Sequence, residues 1–159
     1  MFEKFYKMIN EVLNKLRIIT LKLRGAKIGD NVRSYGPFSV VKAEKLIIGD
    51  RTTINDGVHF NCRDFIFIGR ECRISTNVQL HTGRLILNEQ PRVHTQSPII
   101  IEDNVWIASG SVISSGVRIG KNSVIGANSV VLSDVKSNSF YAGNPAKKIK
   151  DIYKLNNFI

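Results

Sequence analysis

Aliphatic residues recur at strict six-residue spacing through Ile101, Ile107, Ile113, Ile119, Ile125 and Val131. That period limits the possible folds sharply, because a helix repeats about every 3.6 residues and a strand about every two. It suits a chain that makes a short strand, turns a corner and repeats, with three such faces closing one coil. The leading aliphatics then stack from coil to coil and fill the interior. The fourth residue after each leader is small or β-branched, as at Thr52, Val58, Cys72, Val78, Val105, Ser111, Val117, Ser123, Ser129 and Val135. Such residues fit inside a turning backbone, and the recurrent Gly and Asn accept corner dihedrals.

The frame can be followed from Ile28 onward. Ile28, Ser34 and Val40 lead a first coil, Ile48, Ile54 and Phe60 a second, and Ile68, Ile74 and Leu80 a third. The first two coils carry two extra residues each, expected at a corner. Ile101 and Ile119 open two further coils. Between the third coil and these two, "LHTGRLILNEQPRVHTQSP" keeps no period and holds two of the three histidines. It begins where a coil is complete and ends where the next can start, so it reads as an excursion at 81–98. The expectation is an all-β parallel β-helix over 25–140.

Both ends of such a stack need covers. Residues 2–23 place Phe2, Phe5, Tyr6, Ile9, Val12, Leu13, Leu16, Thr20 and Leu23 at helical intervals, with lysines and Arg17 among or opposite them. This predicts an amphipathic helix within 1–24, ended by Gly25. It packs on the body or on a neighbouring subunit, or it rests on an anionic membrane surface. The tail at 141–159 is expected to form a short helix from near Pro145.

A chain of 159 residues is most simply one domain. Its net charge of +10, from 23 basic and 13 acidic residues, predicts attraction to phosphates in nucleic acid, anionic lipid or a small molecule. No aromatic RNA-binding signature or zinc-finger spacing favours nucleic acid. No segment reaches the roughly 18 apolar residues of a membrane span, and the charged N-terminus has no secretory apolar core. A cytoplasmic location is the expectation. Cys62 and Cys72 fit a reducing compartment and match no metal-ligand spacing.

The repeats, the stretch "PIIIEDNVWIASGSVISSGVRIGKNSVIGANSVV" and the closing "AGNPAKKI" together resemble the hexapeptide-repeat acyltransferases, in particular the branch that acetylates sugars. The resemblance implies a left-handed parallel β-helix, a homotrimer and acetyl-CoA as acyl donor, with no metal. It implies that the excursion carries the general base, for which His81 holds the matching place and His94 is the rival. Asn61, Arg84 and His94 become candidates for acceptor binding, with Arg92 beside them. Trp106, Ala108, Ser109 and Ala127 become candidates for the cofactor channel, Ser109 through its backbone amide at the thioester oxygen. Lys147 and Lys148 are candidates for the CoA phosphates. Relatives often carry Thr-Lys where this chain has Leu132 and Ser133, so Lys136 or Arg118 would have to compensate. His59, inside a regular coil, is expected as a surface face residue.

The function implied is O-acetylation of a sugar or glycan hydroxyl in surface-polysaccharide synthesis. N-acetylation of an amino sugar on a nucleotide is one alternative, and a non-catalytic scaffold is another. A γ-type carbonic anhydrase would need three zinc histidines, and the spacings of His59, His81 and His94 do not supply them.

Overall fold

The computed structural model describes residues 2–152. Its body is a triangular stack of coils, each made of three short strands. The first coil contains β1 (Lys27–Ile28), β2 (Arg33–Ser34) and β3 (Ser39–Val41), and the second β4 (Leu46–Ile48), β5 (Thr53–Ile54) and β6 (His59–Asn61). The third holds β7 (Ile66–Ile68), β8 (Arg73–Ile74) and β9 (Gln79–His81). After the excursion, whose strands β10 (Gly83–Leu85) and β11 (His94–Gln96) pair antiparallel, the stack resumes. The fourth coil is β12 (Ile99–Ile101), β13 (Trp106–Ile107) and β14 (Val112–Ile113), and the fifth β15 (Arg118–Ile119), β16 (Val124–Ile125) and β17 (Val130–Val131). Three parallel sheets run along the stack, in the orders β1-β4-β7-β12-β15, β2-β5-β8-β13-β16-β18 and β3-β6-β9-β14-β17, where β18 is Ser139–Ala142. We term them the first, second and third faces.

The six-residue frame accounts for the core. From Ile48 to Val131 its leaders are all buried, and so are all ten small or β-branched residues at the fourth position. The buried hydroxyls are satisfied by backbone: Ser111 Oγ donates to the carbonyls of Ala108 and Gly126, both at 2.9 Å. The extra residues of the first two coils do more than widen a corner. They lengthen the first face to three-residue strands that present two inward side chains each, so Leu46, Ile66 and Ile99 form a further buried column, all in register.

Corners take left-handed backbone at Asn31, Asn77, Asn104, Asn122, Asn128 and Asn138, as expected, but also at Lys42, Arg51 and Glu71. Asparagine tolerates this conformation best among residues with a side chain. In one corner column, Asn104 Nδ2 donates to Asn122 Oδ1 (3.1 Å) and Asn122 Nδ2 to Asn138 Oδ1 (2.8 Å). Lower in the stack an exposed ion pair, Arg51 to Glu71 at 2.7 Å, replaces the amide ladder.

The C-terminal segment corrects an expectation. Lys147–Asp151 is a strand, β19, antiparallel to Ser139–Ala142, and not a helix from Pro145. At β18 the second face ends in an open edge, and the turn through Gly143 brings the chain back along it. Hydrogen bonding to that edge outweighs the helix-start signal of Pro145. Residues 153–159 of the expected tail helix lie outside the described residues.

Helix α1 (Phe2–Leu23) lies at the opposite end. Only Leu21 is buried, and with Ile18 it packs against the core near β1 and β2. The broad apolar stripe, including Phe5, Val12 and Leu16, stays exposed.

Candidate active site

The third face presents a polar patch beside the excursion. Pairing sets Ser39, His59 and Gln79 in one outward column and Val41, Asn61 and His81 in the next. Phe60 and Leu80 point inward between them and are fully buried, which fixes these side chains outward. The His59 and His81 rings lie 5.7 Å apart, centroid to centroid. Ser39 Oγ is 2.6 Å from His59 Nδ1, and His81 Nε2 is 3.0 Å from Gln79 Oε1. With the carboxamide oxygen turned toward it, Nε2 of a neutral His81 carries the proton and Nδ1 keeps its lone pair. Burial first, and the neighbouring His59 second, push the His81 imidazole below its ordinary pKa of 6.5. His81 is therefore held in its basic, neutral form at neutral pH.

Thr82, fully buried, roots the excursion immediately after this histidine. Its hydroxyl donates to the Asn61 carbonyl at 2.9 Å and accepts from the Asp64 amide at 2.8 Å. Its own carbonyl accepts from Ser115 Oγ at 2.7 Å and from the Ser97 amide at 3.0 Å. Both ends of the excursion are thus tied to one point. Arg84 leaves that root toward a shallow depression lined by Ser97, Ser115, Arg118 and Asp134. His94 sits on β11 opposite Leu85 and is exposed.

A second feature lies at the corner between the second and third faces. A cleft of about 670 Å³ is lined by Trp106, Ala108, Ser109, Ala127, Phe140 and Lys150, among others. All four residues expected for the cofactor channel fall in it. Trp106 is held by donation from Nε1 to Ser75 Oγ at 3.0 Å, so its half-exposed ring forms a fixed wall. Lys147 and Lys148 stand on β19 at the margin, and Lys148 pairs with Asp151 at 2.6 Å. The lysine that lines the cleft is Lys150, which sequence reasoning missed. The signal was there in "KKIKD", but only a strand brings Lys150 over the cleft opposite Phe140.

The two features do not meet within one chain. Ser109 stands over Thr76, since the Gly110 amide donates to the Thr76 carbonyl at 2.9 Å. His81 lies five residues further along the third face, on the order of 15 Å at about 3.3 Å per residue. A base must come within about 3 Å of the proton it takes.

Burial rules out the two cysteines as nucleophiles. It pushes the Cys62 thiol up to about 12 and the Cys72 thiol up to about 11, so neither supplies a thiolate. Cys72 is the small core residue that its repeat position predicts. Among the described residues no group of three or more His, Cys, Asp or Glu could hold a metal ion.

Comparison with known proteins agrees with this architecture. The model of the bacterial transferase hexapeptide family (six repeats) matches residues 98–133. A relative in Escherichia coli K12, provisionally named colanic acid biosynthesis acetyltransferase WcaF, is 33% identical over 141 residues, covering 89% of this chain and 78% of its own. The hexapeptide-repeat acetyltransferase VCA0836 of Vibrio cholerae, solved with acetyl-CoA, superposes with a TM-score of 0.81 at 32% identity, over 92% of this chain and 82% of its own. A maltose O-acetyltransferase from Clostridium difficile 630 gives 0.82 at 28% identity, over 95% and 86%. Repeat, fold and relatives agree: the chain belongs to the hexapeptide-repeat acetyltransferases, enzymes built on a left-handed parallel β-helix.

Proposed function

We propose that this enzyme transfers the acetyl group of acetyl-CoA to a hydroxyl of a sugar or glycan, as a step in surface-polysaccharide synthesis in the cytoplasm, where that donor is available. The observation that carries this reading is the single cleft that gathers Trp106, Ala108, Ser109 and Ala127, in a chain that is similar to an acetyltransferase solved with acetyl-CoA. The relatives named for colanic acid and maltose support a sugar acceptor. In this reading, pantetheine runs along the cleft beside Trp106, and Lys150 with Lys147 and Lys148 meets the CoA phosphates.

The distance between His81 and Ser109 bears on assembly. We place the reaction between two copies in a homotrimer, where the third face of one subunit meets the cleft of the next. His81 Nδ1 removes the proton as the acceptor oxygen attacks the thioester carbon. Asn61, one coil below and beside it, orients the hydroxyl, while Arg84 and His94 flank the entering sugar from the excursion. The Ser109 amide donates to the developing oxyanion. Collapse breaks the carbon–sulfur bond, and the CoA thiolate takes the proton from His81, leaving ester and free CoA. General-base help of this kind is typically worth about 10²- to 10⁴-fold.

The test combines thermal shift with acetyl-CoA, sedimentation velocity, and thiol release over maltose, galactosides and nucleotide sugars. A trimer that binds acetyl-CoA and releases thiol only with a hydroxyl acceptor is expected. A monomer with full activity would refute the shared site. Failure to bind CoA would leave a scaffold, and amide product from an amino sugar would move the enzyme to N-acetylation.

A further inference from the structure

Helix α1 is mounted the wrong way round for a helix that serves its own core. On a wheel of about 100° per residue, Ile18 and Leu21, the two side chains packed on the stack, fall on the polar side with Glu3, Lys7, Asn10, Glu11 and Asn14. The apolar stripe of Phe5, Ile9, Val12, Leu16, Ile19 and Leu23 lies roughly opposite, with Leu16 and Ile19 bordering grooves that Phe38 and Val32 of the body also line. Every one of these six side chains is at least 38% exposed. Phe2 extends the stripe, so it runs the full 22 residues, about 33 Å at 1.5 Å per residue.

Charge indicates what covers it. The helix carries five cations against two carboxylates. Lys4, Lys15 and Lys22 line one edge of the stripe and Arg17 the other, while Glu3 and Glu11 sit on the back near Ile18 and Leu21. Long basic side chains along an apolar stripe suit a lipid interface, where their stems lie on apolar surface and their heads reach anionic groups. A second copy of this chain is a poor electrostatic match. The chain carries +10, and four of the eleven carboxylates outside the helix, Glu71, Glu102, Asp103 and Asp151, already pair with Arg51, Arg118, Arg70 and Lys148. No helix among the described residues is long and apolar enough to cross a membrane, so the stripe would lie in the interface plane.

We infer that α1 docks the enzyme on an anionic membrane surface through its outward apolar stripe, with the β-helix standing on it by its N-terminal end. The candidate residues begin at Asn61 on the second coil, one coil spacing above the first, about 5 Å at about 4.8 Å per coil, and the cleft begins at Ser75 on the third, about 10 Å above the first. Docking therefore leaves both the cleft and the polar patch open. The inference does not depend on which acceptor is used.

Flotation of the purified full chain with vesicles of phosphatidylcholine alone, or of phosphatidylcholine with phosphatidylglycerol, tests it at low and high salt. Binding is expected to the anionic vesicles at low salt. It should fall at least about tenfold in high salt, since lipid attraction of basic residues is screened. An Ile9→Glu/Leu16→Glu double variant, altered only at exposed positions, should lose vesicle binding while keeping its melting temperature, sedimentation coefficient and thiol release with soluble acceptors. Absence of binding by the native chain overturns the inference, as does binding that ignores lipid charge and salt. If the double variant instead loses its assembly, the stripe is an interface between copies and the inference falls, whatever becomes of the acetyl transfer.

Discussion

The acid limb of the pH profile tests whether His81 is the base, and the structure sets its bounds. An imidazole at the ordinary value of 6.5 would be neutral in only about a quarter of molecules at pH 6. Both influences on His81, burial and then the second histidine, lower its pKa. The neutral fraction at pH 6 must therefore exceed a quarter, and kcat/KM at pH 6 should stay above about a quarter of its plateau. His59→Gln removes the electrostatic influence of the neighbouring histidine and loosens the cover over His81. Both changes raise the pKa, toward 6.5 but not beyond it, because no anion faces the ring in exchange: its neighbours Gln79 and Asn61 are neutral. The variant's limb should move up and the relative rate at pH 6 should drop toward a quarter. The assay is initial-rate thiol release from pH 5 to 9, read as kcat/KM so that it reports the free enzyme. A native limb centred at or above 6.5, or one that His59→Gln leaves unmoved, would show that His81 does not carry the titrating proton.

Three further outcomes are expected. His81→Ala should lower turnover about 10²- to 10⁴-fold while leaving acetyl-CoA binding intact; full activity there, with loss in His94→Ala, would transfer the role to His94. Phe60→Ala removes a fully buried ring that meets Phe38 edge-on, with centroids 6.3 Å apart, and should cost about 3–5 kcal/mol, seen as a lower midpoint in urea. Thr82→Val keeps shape but strips the Asp64 amide of its partner, costing about 1–3 kcal/mol, with kcat falling more than KM changes if the excursion root aligns His81.

The coil-by-coil core was legible because it is a one-dimensional pattern. Leaders from Ile48 to Val131 and the small residues between them are buried where the six-residue count puts them. The cleft residues Trp106, Ala108, Ser109 and Ala127 came from resemblance, and no spacing rule alone would have grouped them. What escaped depended on edges and on pairs distant in sequence. The tail became a strand because an open edge was waiting beside Ser139–Ala142, which the local sequence around Pro145 does not encode. Arg51 and Glu71 in left-handed corners were illegible one at a time, since each belongs to a pair twenty residues apart. The helix was legible as amphipathic, but the surface it turns to its own body was not. Two residues on its polar side, Ile18 and Leu21, decide that.

The position of the excursion in the count has a chemical consequence. His81 is the last residue of β9, directly above Asn61, and its outward direction is guaranteed only by the inward burial of Leu80. One residue inserted before Leu80 would reverse the alternation, turning His81 toward the core and a polar neighbour into it. Residues inserted between Leu85 and His94 would meet no such constraint, because β10 and β11 stand off the stack and pair with each other. Thr82, Ser97 and Ser115 tie the two ends of the excursion to one buried point. Length and composition beyond that point can therefore vary with the acceptor while the histidine patch below stays fixed by the register of the core.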